Sequence, residues 1–186
     1  MVPLTSLWLP ILVSAVLVFL ASFVLHMLVP FHRADYRRMP AEDEVMSALR
    51  RFAIPPGDYM MPCPGGPDAM RDPKFLEKMK TGPVATVTFM APGPIRMGPQ
   101  LVQWFVYCAI VGLFTAYVTG RALGPGTVYL RVFQMAGCVA FIGYAVALWQ
   151  QSIWYRRSWA TTIRYSIDGL IFGALTAGTF GWLWPN

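Results

Sequence analysis

Residues 8–30 read WLPILVSAVLVFLASFVLHMLVP, and His26 is the only ionisable side chain in this run. The hydrocarbon core of a bilayer is about 30 Å thick, so a helix needs roughly 20 mostly apolar residues to cross it. We therefore predict an N-terminal transmembrane helix within residues 1–30.

Three further apolar runs follow, at about residues 101–120, 128–153 and 163–184. Arg131 lies near the start of the second of these runs, and Arg164 and Asp168 lie in the first two turns of the last. The pattern predicts an all-α integral membrane protein, a bundle of four transmembrane helices in which residues 101–186 form a three-helix region.

Composition and charge agree with this class. The 186 residues are 56% hydrophobic and 13% charged, whereas a soluble domain is about 25% charged. The net charge of +6 comes mainly from residues that flank the apolar runs. It indicates contact with lipid headgroups rather than with nucleic acid. The three cysteines lack motif spacing, which argues against a disulfide framework.

The positive residues predict the orientation. Residues 31–100 carry ten Lys and Arg, the connection to the last run carries three, and the opposite flanks carry two. Because cytoplasmic flanks are enriched in Lys and Arg, we expect both termini outside and the 31–100 loop in the cytoplasm.

The 31–100 loop is predicted to contain two short amphipathic helices and a small β-ribbon. One helix begins at Pro40, and the other has Asp72 as N-cap and stops at Gly82. Residues 84–89, VATVTF, predict a strand, with 95–97 as its hairpin partner and 59–67 as loop. Because a two-stranded ribbon is marginal alone, the edge at Val84, Thr86 and Thr88 is predicted to pair with another chain or lie on the membrane.

Small residues recur at every fourth position in the last run, at Gly169, Gly173, Ala177 and Gly181. Such stripes let helices approach closely in lipid. Two interpretations stay open at this point: packing within one bundle, or contact with a neighbouring subunit.

The polar residues of the apolar runs with a candidate intramembrane role are His26, Gln134, Arg164 and Asp168. Arg164 and Asp168 are four residues apart, so they can neutralise each other on one helix face. Gln134 is the deepest of the glutamines and is predicted to form an interhelical contact. A membrane-embedded enzyme built on Arg164, Asp168 and His26 is a third-ranked alternative.

Two groups of residues in the sequence contain side chains that can bind a metal ion. His26 and His32 with Asp35 could hold an ion, but the histidines are six residues apart across Pro30, which is not a helical ligand spacing. Met60, Met61 and Cys63 are soft donors that suit Cu(I). No cofactor, no metal and no catalytic residue is expected, with the Met60, Met61 and Cys63 group as the alternative metal site.

Residues 70–123 begin MRDPKFLEKMKTGPVATVTFMAPGPIRMGPQLVQWF and end AYVTGRAL. This part, about a third of the chain, resembles a group of hypothetical bacterial multi-span membrane proteins with no assigned activity. The resemblance implies a bacterial inner membrane and supplies no mechanism.

The residues together predict a non-catalytic integral-membrane subunit or accessory protein. It would assemble with itself as a homo-oligomer or with a larger inner-membrane complex. The alternative is an oligomeric transporter or channel for a metal ion or small solute, with Asp168, His26, Met60, Met61 and Cys63 as its candidate residues.

Overall fold

The computed structural model describes residues 1–186 and divides into two compact units. One unit comprises residues 1–37 and 96–186, and the other comprises residues 38–95. The helices in chain order are α1 Trp8–Phe23, α2 Glu42–Arg50, α3 Pro73–Thr81, α4 Gly98–Ala122, α5 Tyr129–Tyr144, α6 Trp149–Tyr155 and α7 Trp159–Trp182. The strands are β1 Gly57–Met61 and β2 Ala85–Phe89.

The long helices of the first unit pack as a closed ring of neighbours. Helix α1 contacts α4 and α7, and α5 contacts the same two helices from the other side. Two apolar clusters fill the interior between them, one around Leu7, Val132 and Phe180 and the other around Val18, Cys108 and Phe172. The prediction of a mostly helical protein is therefore confirmed.

Three helical segments have the length and apolar character needed to cross a membrane: Leu4–Leu28, Gly98–Ala122 and Tyr129–Tyr155. They coincide with the first three predicted spans. The segment Tyr129–Tyr155 is not one continuous α-helix, because α5 ends at Tyr144 and a 3-10 turn, Val146–Leu148, joins it to α6.

Helix α7, which lies in the fourth predicted span, is not among these three segments, and it carries many polar side chains. Several of them are buried inside the unit rather than exposed on its surface, including Thr161, Thr162, Asp168, Thr176 and Thr179. Two of the threonines, Thr176 and Thr179, donate hydrogen bonds to carbonyls one turn earlier in the same helix. The polar face of α7 is thus an interior face.

The second unit contains α2, α3 and an antiparallel hairpin of β1 and β2. Helix α3 begins where the sequence predicts, with the Asp72 side chain accepting a hydrogen bond from the Lys74 amide at 3.0 Å. The predicted partner of the strand is wrong: Ala85–Phe89 pairs with Gly57–Met61, in part of the segment predicted as loop, and not with residues 95–97. Segment 57–61 escaped detection because its apolar residues do not alternate.

Candidate functional site

The end of α1 folds back on itself and brings two histidines together. After Phe23 the chain forms a π-helical turn, Val24–Leu28, and then a 3-10 turn, Pro30–His32. The Val29 amide donates to the Val24 carbonyl at 3.1 Å, which closes the wider turn. The rings of His26 and His32 consequently stack, with centroids 4.3 Å apart and planes 5° from parallel. Single π-turns in helices occur often at functional sites.

Each histidine is oriented by a hydrogen bond at Nδ1. His26 Nδ1 lies 3.0 Å from the Ser22 carbonyl oxygen. Because a carbonyl oxygen only accepts, Nδ1 of His26 carries the hydrogen and donates it, and Nε2 of the neutral ring is left with its lone pair. His32 Nδ1 lies 2.7 Å from Asp35 Oδ2 and donates its hydrogen to this carboxylate oxygen.

Asp35 also binds an arginine of α7, a helix that packs against α1. The Arg164 guanidinium donates to Asp35 Oδ1 at 2.7 Å from Nε and 2.6 Å from Nη2. The Asp35 side chain is only 2% exposed. Burial by itself raises the pKa of Asp35, but the hydrogen bonds from His32 and Arg164 and the nearby positive charge outweigh burial, so this pKa is lowered. Asp35 is therefore a charged acceptor for His32.

Asp168 lies one turn beyond Arg164 on α7 and faces the two histidine rings. Its Oδ2 is 2.9 Å from His32 Nε2 and 4.0 Å from His26 Nε2. The close contact is not aligned as a hydrogen bond, and neither carboxylate oxygen has a hydrogen-bond partner although the side chain is 2% exposed. Donor atoms of these three residues all lie within 4.8 Å of one another. Such a set can hold a metal ion or share a proton.

The predicted pairing of Arg164 with Asp168 is wrong. The long Arg164 side chain reaches Asp35 in the segment after α1, whereas the short Asp168 side chain remains beside His32 and His26. No local pattern predicts Asp35 as the ion-pair partner, because it lies 129 residues away from Arg164. The sequence shows only that three of the four residues in HRAD, 32–35, are ionisable and follow directly after an apolar span.

The predicted helix-contact stripe faces α5 of the same chain. A Cβ on Gly169 would lie 2.6 Å from Ala145 Cβ, and a Cβ on Gly181 would lie 2.7 Å from the Tyr129 ring. Gly173 approaches the Phe141 backbone in the same way. Ala177 is fully buried, with its Cβ 3.1 Å from where a Cβ on Gly137 would lie. These four residues therefore pack within one bundle, which is one of the two interpretations that the sequence left open.

Gln134 has no hydrogen-bond partner in the chain and is exposed on α5. It borders an open groove of about 290 Å³ on the outer face of α5 and α7. We call this the outer groove. Besides Gln134, its lining combines small residues with large apolar ones, among them Gly137, Gly173 and Ala174 and also Phe133, Phe141 and Leu170.

The remaining predicted residues belong to the second unit. In β2, Thr86 lies opposite Met60 and Thr88 opposite Asp58, while Val84 precedes the strand. One edge of β2 is thus paired within the chain. Met60, Met61 and Cys63 line one open depression of about 610 Å³ and all three are at least partly exposed. Copper binding by these sulfurs stays a prediction.

No family model, no curated protein and no solved structure matches the chain.

Proposed function

We propose that the chain is a non-catalytic integral-membrane subunit that binds a helix of another membrane protein through the outer groove. The observation that carries this proposal is the unpartnered amide of Gln134 beside the small residues Gly137 and Ala174. A polar amide facing lipid is costly. Small residues allow a neighbouring helix to approach closely enough to hydrogen-bond it.

The proposal includes a four-span topology with α7 as the last span. Helix α7 has 24 residues, which is long enough for about 30 Å of hydrocarbon. Its polar side chains are largely turned inward, and Ile163, Ile167 and Leu170 are exposed. With four spans, the distribution of Lys and Arg favours external termini and a cytoplasmic 31–100 segment in a bacterial inner membrane.

Thiol labelling tests this topology. In a Cys108→Ala, Cys138→Ala background, we expect a membrane-impermeant maleimide to label Cys63 only after spheroplasts are permeabilised. A cysteine introduced by Asn186→Cys in a Cys63→Ser version of the same background should be labelled in intact spheroplasts. Labelling of Cys63 in intact spheroplasts would contradict the orientation.

Assembly through the outer groove is tested by substitution within it. We expect Gln134→Leu to remove the interhelical hydrogen bond and Ala174→Leu to fill the space for a neighbouring helix. Both should reduce the mass of the complex purified in mild detergent from native membranes, measured by light scattering and mass spectrometry of co-migrating proteins.

Matched controls separate this effect from a change in hydrophobicity. Gln103 is exposed near the start of α4, away from the outer groove, so Gln103→Leu makes the same chemical change elsewhere. Val118→Leu adds bulk to another exposed face. An unchanged complex in both groove variants, or equal losses in the controls, would refute the proposal.

The second candidate is an oligomeric carrier or channel for a metal ion or small solute. One observation favours it: Asp168 and His26, from different helical segments, lie in one cluster together with His32. A homo-oligomer without other proteins, obtained from the same purification, would favour this candidate over a subunit of a larger complex.

A further inference from the structure

We propose that His26, His32 and Asp168 bind a divalent first-row transition metal ion, with Zn²⁺ as the best-suited probe. The ligand atoms are the Nε2 atoms of both rings and a carboxylate oxygen of Asp168. This inference concerns equilibrium binding and does not depend on the assembly proposed for the outer groove.

Both histidine rings turn Nε2 toward Asp168. Ser22 and Asp35 accept the Nδ1 hydrogens, which leaves the Nε2 atoms as the ring nitrogens that face the Asp168 carboxylate. Metal-binding histidines are commonly fixed in this way, through a carbonyl or carboxylate that receives the other ring hydrogen. The Asp35–His32 pair, itself held by Arg164, supplies such a support.

The Asp168 carboxylate is buried and pairs with no Lys or Arg side chain. Arg164 is engaged with Asp35, and the basic atoms within 4.0 Å of Asp168 are the Nε2 atoms of His32 and His26. A buried carboxylate without a partner is unfavourable. Both of its oxygens and His32 Nε2 lack hydrogen-bond partners. A cation placed between these three groups satisfies all of them at once.

The Nε2–Oδ2 separations are close to those between ligand atoms in a zinc site. Zinc binds nitrogen and carboxylate oxygen at about 2.0–2.2 Å, which places neighbouring ligand atoms of a tetrahedron about 3.3 Å apart. The two Nε2–Oδ2 separations are 2.9 and 4.0 Å. His26 has the more exposed side chain of the two histidines, at 36%, and can rotate to close the longer separation. Two nitrogens and one oxygen leave a coordination position for water or a ligand oxygen.

The test is zinc binding by the purified full chain in detergent. After loading with Zn²⁺ and dialysis, we expect about one zinc per chain by elemental analysis, and below about 0.1 in Asp168→Asn and His26→Gln. Asp35→Asn removes no proposed zinc ligand but weakens the support of His32 and the ion pair with Arg164. In this variant the affinity for zinc should fall about 10–100-fold. Asp58→Asn, in the other unit, should keep its zinc.

Several outcomes decide the inference. Size-exclusion profiles establish whether each variant is folded. If Asp168→Asn does not fold, His26→Gln alone tests the loss of a ligand, because His26 is partly exposed and its replacement disturbs the packing less. If the native chain retains no zinc, the inference is overturned. Zinc lost in Cys63→Ser but kept in both His26→Gln and Asp168→Asn would assign the ion to the sulfur residues, which also overturns it. None of these outcomes changes the Gln134 test, so the two proposals fail separately.

Discussion

Replacing Asp35 by alanine is expected to lower the free energy of unfolding by about 3–5 kcal/mol, the cost typical of breaking a buried ion pair. Asp35 accepts hydrogen bonds from Arg164 and His32, and its side chain is 2% exposed. Its removal leaves the Arg164 guanidinium without a counter-charge. Unfolding in mixed micelles, followed by tryptophan fluorescence, measures the change.

The surface pair of Arg38 and Glu42 is the matched control. Its side chains are 82% and 44% exposed, and pairs of this kind contribute about 0–1 kcal/mol. Glu42→Ala should therefore have little effect. In the double variant Asp35→Ala, Arg164→Ala, we expect a smaller loss than the sum of the single changes, because no unpaired charge remains. A loss for Asp35→Ala no larger than that for Glu42→Ala would contradict the buried pair.

Gly169→Ala is expected to destabilise the packing of α7 on α5. The added Cβ would lie 2.6 Å from Ala145 Cβ and 3.4 Å from the Ala145 backbone. Ala145 has no flexible side chain that can move aside, so one of the helices must shift. Overpacking of this kind costs about 1–3 kcal/mol, which thermal unfolding by circular dichroism can measure.

Gly178 is the control in the same helix. A Cβ there meets only the Tyr129 hydroxyl oxygen, at an ordinary contact distance of 3.6 Å. Because alanine is the better helix former by about 1 kcal/mol, Gly178→Ala should be neutral or stabilising. Equal losses in Gly169→Ala and Gly178→Ala would argue against close α5–α7 packing at Ala145.

Most of the helical architecture could be predicted from local pattern. Apolar runs longer than the thickness of a bilayer predict the segments Leu4–Leu28, Gly98–Ala122 and Tyr129–Tyr155. The Asp72 cap predicts the start of α3 because its hydrogen bond spans only two residues. The predicted partner of β2 was wrong, because no local pattern of residues indicates pairing between segments nearly 30 residues apart.

The residue pairs of the candidate site could not be predicted without the tertiary structure. Sequence alone identifies His26, Arg164 and Asp168 as polar residues in apolar surroundings, but their spacing favours a pair between Arg164 and Asp168. The fold places Arg164 on Asp35 and leaves Asp168 to the histidines. The π-helical turn also defeats the spacing argument against His26 and His32, because it bends the chain so that the rings stack.

The sequence alone predicts which segments are helical, how apolar they are and which side of a membrane the positive residues favour. These properties depend on composition and on contacts between near neighbours. The tertiary structure is needed to see which charge pairs with which, and that the Gly169 stripe faces α5 within the chain. Those outcomes depend on how distant helices approach one another, and no local pattern of residues encodes that approach.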